Sequence, residues 1–557
     1  METSELHLKY VREKYDEKGR IVSFDLDLPD NFNFAYDIVD EIGKNDPERT
    51  ALIWIGDDLA EKRFTYADLM RESNRTANML IAHGVKKGDK VICVLKRHYQ
   101  VYFAILALCK IGAVMIPATN QLRKWDFEYR FNAAKARFVI ATNDDHVTEN
   151  IDLGLQNYDG VVEKFAVHGI RDGWTDFDSE IAKYPDTFER ADTNVNEDML
   201  MFFSSGTTGY PKMVAHSYHY AAAHILTAKH WHHIDSETLH LTISDSGWGK
   251  FFWGKIYGEM AVGCTVFVYD FERFHPDRIL SLIEKYRITS LCCPPTMYRF
   301  FIKEGLDKYD LSSLEYATTA GEALNAEVYN KFLQYTGLKL MEGFGQTETV
   351  IVLGNLYGYD IKPGSMGRPV PLYDVVLVDK NDNEVPAGKE GEICIRLDTD
   401  KKNWGLFRCY YGGTDHTLRA KRNNLYHTGD TAYKDEDGFF WYIGRIDDVI
   451  KSSGYRIGPF EIESILSQHP AVLEVAVTGA PDPIRGTVVK ATIVLTDEYK
   501  DKAGPELMGK LQEFVKSNTA PYKYPRIIEF SDTLPKTTNG KIRRVEIRER
   551  DAKRFNS

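Results

Sequence analysis

No apolar run in this sequence is both long and unbroken. The longest runs from Val101 to Ala118 and is interrupted by Lys110, Gly112 and Pro117. It reads as a buried helix passing into a strand, which excludes a membrane span there. Cysteine is sparse: Cys93, Cys109, Cys264, Cys292, Cys293, Cys394 and Cys409 form an odd set without C-x-x-C spacing. That pattern suits a reducing compartment better than a disulfide framework. The N-terminus (Met1-Glu2-Thr3-Ser4-Glu5-Leu6-His7) lacks a basic stretch followed by an apolar one, and its acidic residues disfavour a mitochondrial transit peptide. Positive charge is in deficit, with a net charge of −12, which argues against nucleic acid as the main partner. Internal repeats and low-complexity segments are lacking too. The expectation is a soluble cytoplasmic protein.

What is present is core material: 43% hydrophobic and 12% aromatic residues in a chain of 557. That length predicts at least two domains. Strand-like runs such as Lys90-Val91-Ile92-Cys93-Val94-Leu95 alternate with helical patterns such as Tyr99 to Cys109. Such alternation predicts layered α/β structure with largely parallel sheets. Ile288 to Cys293 reads as a strand stopped by Pro294-Pro295, and Tyr316 to Ala320 as another. Between about 364 and 443 short strands and frequent glycines predict a small β-rich subdomain. Gly444-Arg445-Ile446-Asp447-Asp448 then punctuates the chain. A large domain over 1–445 and a small α+β domain over 446–557 are expected, the latter of roughly 110 residues. Its sheet should use Leu473 to Thr478 and Val488 to Leu495, followed by a helix from Pro505 to Ser517.

The nonapeptide Ser204-Ser205-Gly206-Thr207-Thr208-Gly209-Tyr210-Pro211-Lys212 concentrates hydroxyl donors, two glycines and a lysine. Glycines let backbone approach an anion, and successive turn N–H groups can cradle phosphate. It is not a Walker A loop, because Pro211 precedes the lysine and no G-K-[ST] follows. Read alone, its lesser alternative is a polar turn between a strand and a helix.

Further motifs follow in order: Gly321-Glu322-Ala323-Leu324, then Glu342-Gly343-Phe344-Gly345-Gln346-Thr347-Glu348-Thr349. Tyr426-His427-Thr428-Gly429-Asp430, the 444–451 segment, Ser452-Ser453-Gly454-Tyr455-Arg456 and Pro535-Lys536 to Gly540-Lys541 complete the series. In this order they resemble the adenylate-forming superfamily of acyl-CoA synthetases, peptide-synthetase adenylation domains and firefly-type luciferases, from about Phe34 to Arg544. Ser244-Asp245-Ser246-Gly247-Trp248-Gly249-Lys250 resembles the medium-chain acyl-CoA synthetases. The resemblance implies ATP, CoA and Mg²⁺ as cofactors and a small carboxylic acid as substrate. The acid would attack the α-phosphate of ATP, releasing pyrophosphate, and the CoA thiol would then displace AMP from the acyl-adenylate.

By the same resemblance the 204–212 loop holds the β- and γ-phosphates, Thr347 donates to the α-phosphate and Glu348 holds Mg²⁺, a cation that prefers carboxylate oxygens. Gly321, Glu322 and Ala323 line adenine, with Phe344 on another side where the family often has tyrosine. Glu342, Gly343, Gly345 and Gln346 complete that nucleotide motif. Asp430 accepts from the ribose hydroxyls, supported by Arg445, and Arg456 meets an ATP phosphate. Lys541, brought by the mobile small domain, bridges the acid and the α-phosphate. Asp447 is the hinge, and Gln121, Ser453, Gly454, Tyr455, Arg485 and Lys516 contact CoA.

Gly345 stands where acetyl-CoA synthetases carry a tryptophan, so a longer, branched or aromatic acid is expected, walled by Gly247, Trp248 and Trp253. Lys250 and Lys255 are expected to point to solvent or to restrict chain length. His216, His219, His224, His230, His232 and His233 cluster without cysteine or an H-E-x-x-H pattern, and read as core and rim residues instead of a zinc site. His216 and His219 could share a helix face. The alternatives are an adenylation enzyme loading a carrier-protein thiol and a catalytically silent nucleotide-binding homologue. Gly454-Tyr455 with Arg485 favours free CoA over the first, and the presence of Lys541 and Glu348 opposes the second.

Overall fold

The computed structural model describes residues 3–160, 162–204, 210–452, 455–483, 486–536 and 541–556. Two large, mostly parallel sheets organise the first three-quarters of the chain, as the alternating pattern predicts. In one, strands Leu340–Gly345, Tyr316–Ala320, Ser290–Cys292, Leu239–Thr242, Thr265–Asp270 and Thr50–Gly56 run side by side and parallel. In the other, Asp198–Ser204, Val114–Pro117, Lys90–Val94, Phe138–Thr142 and Glu163–Val167 do the same. Continuous apolar runs suit this arrangement, because helices cover both faces of a parallel sheet. Ala51 through Gly56 are all buried. The 101–118 run resolves into helix Gln100–Ile111 and strand Val114–Pro117, both buried throughout. Lys110 is tolerated inside because its ammonium meets Asp40 at 2.8 Å.

Parallel strands bring their carboxyl ends to one rim, where binding residues of α/β sheets gather. Gly321 directly follows Tyr316–Ala320, Gln346 follows Leu340–Gly345, and Ile243 follows Leu239–Thr242. The 204–212 loop departs from expectation. Lys212–Ser217 is a strand, antiparallel to Asp198–Ser204, with Ser204 directly opposite Lys212. The loop therefore closes a hairpin and does not open a helix; the helix Tyr218–Leu226 comes later. Met213, Val214, Ala215 and His216 are buried in succession, so packing on both sheet faces overrides any helical tendency.

The β-rich segment is an antiparallel sheet of Val375–Val378, Glu390–Arg396, Leu425–Lys434 and Phe440–Arg445. Beyond it a three-stranded sheet, Val472–Asp482, Gly486–Leu495 and Ile527–Phe530, packs with helices Pro459–Leu466 and Pro505–Asn518 around Ile462, Val477, Ile493 and Leu511. This is the small C-terminal domain. One link to the large domain is Asn325 Nδ2, which donates to the Ser464 carbonyl at 3.0 Å.

Candidate functional site

Asp430 is held at the centre of a polar corner built from three segments. It lies on strand Leu425–Lys434, opposite Arg445 on strand Phe440–Arg445. Arg445 donates to its carboxylate at 3.1 Å and to the Thr428 carbonyl at 3.0 Å. Tyr442 donates to the other carboxylate oxygen at 3.1 Å. Gln346 arrives from the parallel sheet, donating to Asp430 and to the Thr428 carbonyl, and accepting from Tyr426 at 2.7 Å. Burial opposes the Arg445 charge, yet Asp430 and its neighbours leave its pKa above the usual arginine range. Gly429 is required here: its φ is +73°, and an added Cβ would lie 2.9 Å from the Arg445 guanidinium. Sequence reasoning named Gln346, Asp430 and Arg445 but gave Tyr426 and Tyr442 no role.

Glu348 sits next to this corner. Tyr410, from the 409–410 strand, donates to it at 2.9 Å. Burial pushes the Glu348 carboxyl up, while the Tyr410 hydrogen bond and the charges of Arg445 and Lys212 pull it back. The Lys212 ammonium lies 4.9 Å over the Tyr410 ring. So Lys212, Tyr410 and Glu348 form one group although they are scattered in sequence. Thr347 is held through its backbone: His216 Nε2 donates to its carbonyl at 2.7 Å. Burial pushes His216 down to about 3, keeping it neutral. His216 is thus on a strand while His219 is on the following helix, stacked on Trp404, so they share no helix face. Tyr410 was missed because one tyrosine on a two-residue strand carries no local pattern.

Ser204 ends its strand, and Tyr210 stacks on Tyr129 at 4.6 Å, with Tyr129 donating to the Pro211 carbonyl. Ser205, Gly206, Thr207, Thr208 and Gly209 lie outside the described residues, as do Ser453, Gly454, Arg485 and the Arg456 side chain. Gly321 and Glu322 are exposed, Ala323 is half-buried, and Glu322 accepts from Thr296. Glu342 is a support for this loop: one carboxylate oxygen accepts from the Leu324 N–H at 3.0 Å, and burial pushes the carboxyl up to about 8. Phe344 is half-buried. Gly343 packs on Trp231, whose ring an added Cβ would meet at 2.6 Å.

Gly345 has a backbone role of its own. An added Cβ would meet the Val350 carbonyl oxygen at 2.7 Å, at a register shift between antiparallel strands. The glycine serves a close backbone approach, and no side chain fits there unless Val350 moves. Gly247 likewise abuts the Thr119 backbone, where a Cβ would lie at 2.5 Å. Gln121, two residues beyond Thr119, is exposed. Helix Gly249–Lys255 then buries Trp253. The solvent-facing expectation for the lysines fails. Lys255 is buried, donates to the Ser244 carbonyl and is pushed down to about 7 by burial. Lys250 places its ammonium 4.4 Å over Trp231 and 4.5 Å over Trp253.

On the small domain, Tyr455 is exposed and stacked on Tyr522 at 4.1 Å, and Lys516 pairs with Glu513 over the Tyr524 ring. Lys541 is exposed, directly before Ile542. Asp447 is exposed in the turn after Phe440–Arg445, whereas Asp448 is held by Arg544 and Arg548 of helix Arg544–Asn556.

This layout has counterparts. The chain matches the AMP-binding enzyme family over residues 39–411 and the AMP-binding enzyme C-terminal domain over 461–541. The mitochondrial acyl-coenzyme A synthetase ACSM3 of Homo sapiens is 40% identical over 539 residues, covering 95% of this chain and 91% of that one. The anthranilate CoA ligase AuaEII in complex with anthranoyl-AMP has a TM-score of 0.87 at 28% identity, covering 95% of this chain and 99% of that chain. A benzoate CoA ligase from Burkholderia xenovorans LB400 has a TM-score of 0.80 at 27% identity, with 93% and 100% covered. The chain belongs to the AMP-binding enzyme family of adenylate-forming ligases. Within it, it is an AMP-forming acid–CoA ligase, an acyl-CoA synthetase that uses ATP and CoA.

Proposed function

We propose that the acid is medium-chain, branched or aromatic, and that the residues assemble as two half-sites. The carrying observation is the preformed corner of Asp430, Arg445, Tyr442 and Gln346, adjoining Glu348 and Lys212. Asp430 accepts from the ribose hydroxyls, and the Arg445 hydrogen bond orients its carboxylate for them. The 321–323 loop, braced by Glu342, and Phe344 enclose adenine. Lys212 and the 204–212 loop hold the departing pyrophosphate, and Thr347, its carbonyl fixed by His216, donates to the α-phosphate. Glu348 fits Mg²⁺, since a carboxylate is a hard donor and a nearby dication offsets the burial that raises its pKa; bound, the ion supplies neutralisation of phosphate charge. Among the described residues no helix is long and apolar enough to cross a membrane. Seven free cysteines support the cytoplasmic address, which fractionation tests.

In the first step an acid oxygen bonds to the α-phosphorus and the bond to the bridging oxygen breaks, with Lys541 neutralising the gathering charge. The boundary then turns at Asp447, and the Gln121, Tyr455 and Lys516 side, with Ser453, Gly454 and Arg485, receives CoA. The thiol sulfur bonds to the acyl carbon, its proton is lost, and AMP leaves. Trp248 and Trp253 wall the acid, and Gly345 keeps position 345 free of any closing side chain. CoA-dependent pyrophosphate release across C2 to C12 straight, branched and aromatic acids tests this reading. Turnover confined to acetate, or to none of them, would refute it.

A further inference from the structure

Helix Gly249–Lys255 carries a charge in an unusual setting. The Lys250 ammonium is closed off from solvent and has no hydrogen-bond partner among the described residues. It lies between the Trp231 and Trp253 rings, whose centroids are 6.1 Å apart. The Trp248 Nε1–H, two residues earlier, is also buried without a partner. Lysine ammonium and indole N–H donate only. What these two groups lack is therefore an acceptor.

The surrounding groups do not fill that need. Lys255 is engaged with the Ser244 carbonyl. Glu259 is fully buried, lies 3.9 Å from His232 Nε2 and feels the Lys250 charge, but among the described residues it forms no hydrogen bond or ion pair with Lys250. His232 engages Thr318, and His240 engages Ser290 and Thr242. Indole faces attract a cation but satisfy none of its N–H groups. Leucine or methionine would fill the same volume and close the same pocket without desolvating a charge. A steric wall alone does not call for lysine.

The place is also right. Trp231, which carries the ammonium on one ring, packs against Gly343 of the strand leading into Phe344, Gly345 and Gln346. We propose that Lys250 is a specificity residue that hydrogen-bonds an acceptor oxygen at the far end of the acid, so that acids carrying a keto group or a second carboxylate there are preferred over alkyl acids of the same shape. This rests on the acyl-pocket reading of Trp248 and Trp253. The carboxylate that reacts is at the opposite end of the substrate, so the chemistry of activation is unchanged.

The test compares acids matched in shape: 4-oxopentanoate with 4-methylpentanoate, and glutarate with 5-methylhexanoate. CoA-dependent pyrophosphate release gives kcat/KM for each. The wild-type enzyme should favour the oxygen-bearing member of at least one pair by ~10-fold or more, the scale of a hydrogen bond to a charged group. The two pairs separate a neutral acceptor from an anion. In Lys250→Met the alkyl member should become the better substrate of that pair, while Lys250→Arg should retain the wild-type preference. The wild-type ratios need no variant to fold. Alkyl acids matching or exceeding their partners in both wild-type pairs would overturn the proposal. So would a Lys250→Met enzyme that accepts longer chains with the ratio unchanged, since Lys250 would then be a wall. If none of these acids and no C2 to C12 acid is turned over, the acyl-pocket reading fails, and this inference fails with it.

Discussion

The two halves of the site are built on opposite principles. In the large domain Asp430, Gln346, Arg445 and Tyr442 already bond to one another, and Asp430 is only 4% exposed. On the small domain Tyr455 and Lys541 are exposed. The difference teaches where each free energy lies. The large-domain corner is held by its own hydrogen bonds, so it should govern nucleotide affinity. The small-domain face, on the rotation proposed above, should govern the rates of the half-reactions.

The sharpest way to break this comparison is Lys541→Ala. Adenylation, read as pyrophosphate release, should fall by at least ~10²-fold, the scale of losing one charge-stabilising donor. Its ATP affinity and melting temperature should barely change. A folded variant with near-normal release would remove Lys541 from the first step.

Next in size is Asp430→Asn, which leaves Arg445 without its counter-charge. KM for ATP should rise ~10-fold or more, with a stability loss of about 1–3 kcal/mol. An unchanged KM would deny the corner its nucleotide role.

Asp447→Pro should follow, slowing one half-reaction ~10-fold more than the other by restricting φ at the turn. Equal effects on adenylate and thioester formation, measured separately, would place the hinge elsewhere.

The smallest effect belongs to Tyr410→Phe. Its hydroxyl favours the charged form of Glu348, whose carboxyl burial already pushes up. Without that bond the carboxyl titrates at still higher pH, so the acid limb of the pH–rate profile should move upward, with a loss of about threefold at neutral pH. A limb that stays in place would mean Glu348 does not control it.

How far the sequence carried this depends on the range of the signal. Parallel strands, the β-rich segment and the C-terminal sheet were legible because apolar runs and glycine punctuation are local. Gln346, Asp430, Arg445 and Glu348 were legible through ordered motifs. Tyr410, Tyr442 and the bond from His216 to Thr347 were not, since each depends on which strands become neighbours. The hairpin at 204–212 was misread because Met213-Val214-Ala215-His216 has no polar alternation to mark a strand buried on both faces. Lys250 was misplaced for a related reason: a lysine is expected at the surface, and the two tryptophans that cover its ammonium come from separate parts of the chain.

Asp448 is tied to the small domain by Arg544 and Arg548, while Arg445 is tied to Asp430. Only Ile446 and Asp447 lie between these two moorings. On the proposed hinge, a nucleotide seated on Asp430 would sit at the root of a lever, where a small displacement swings the far end most, so that nucleotide state and small-domain orientation would be coupled through two residues of backbone.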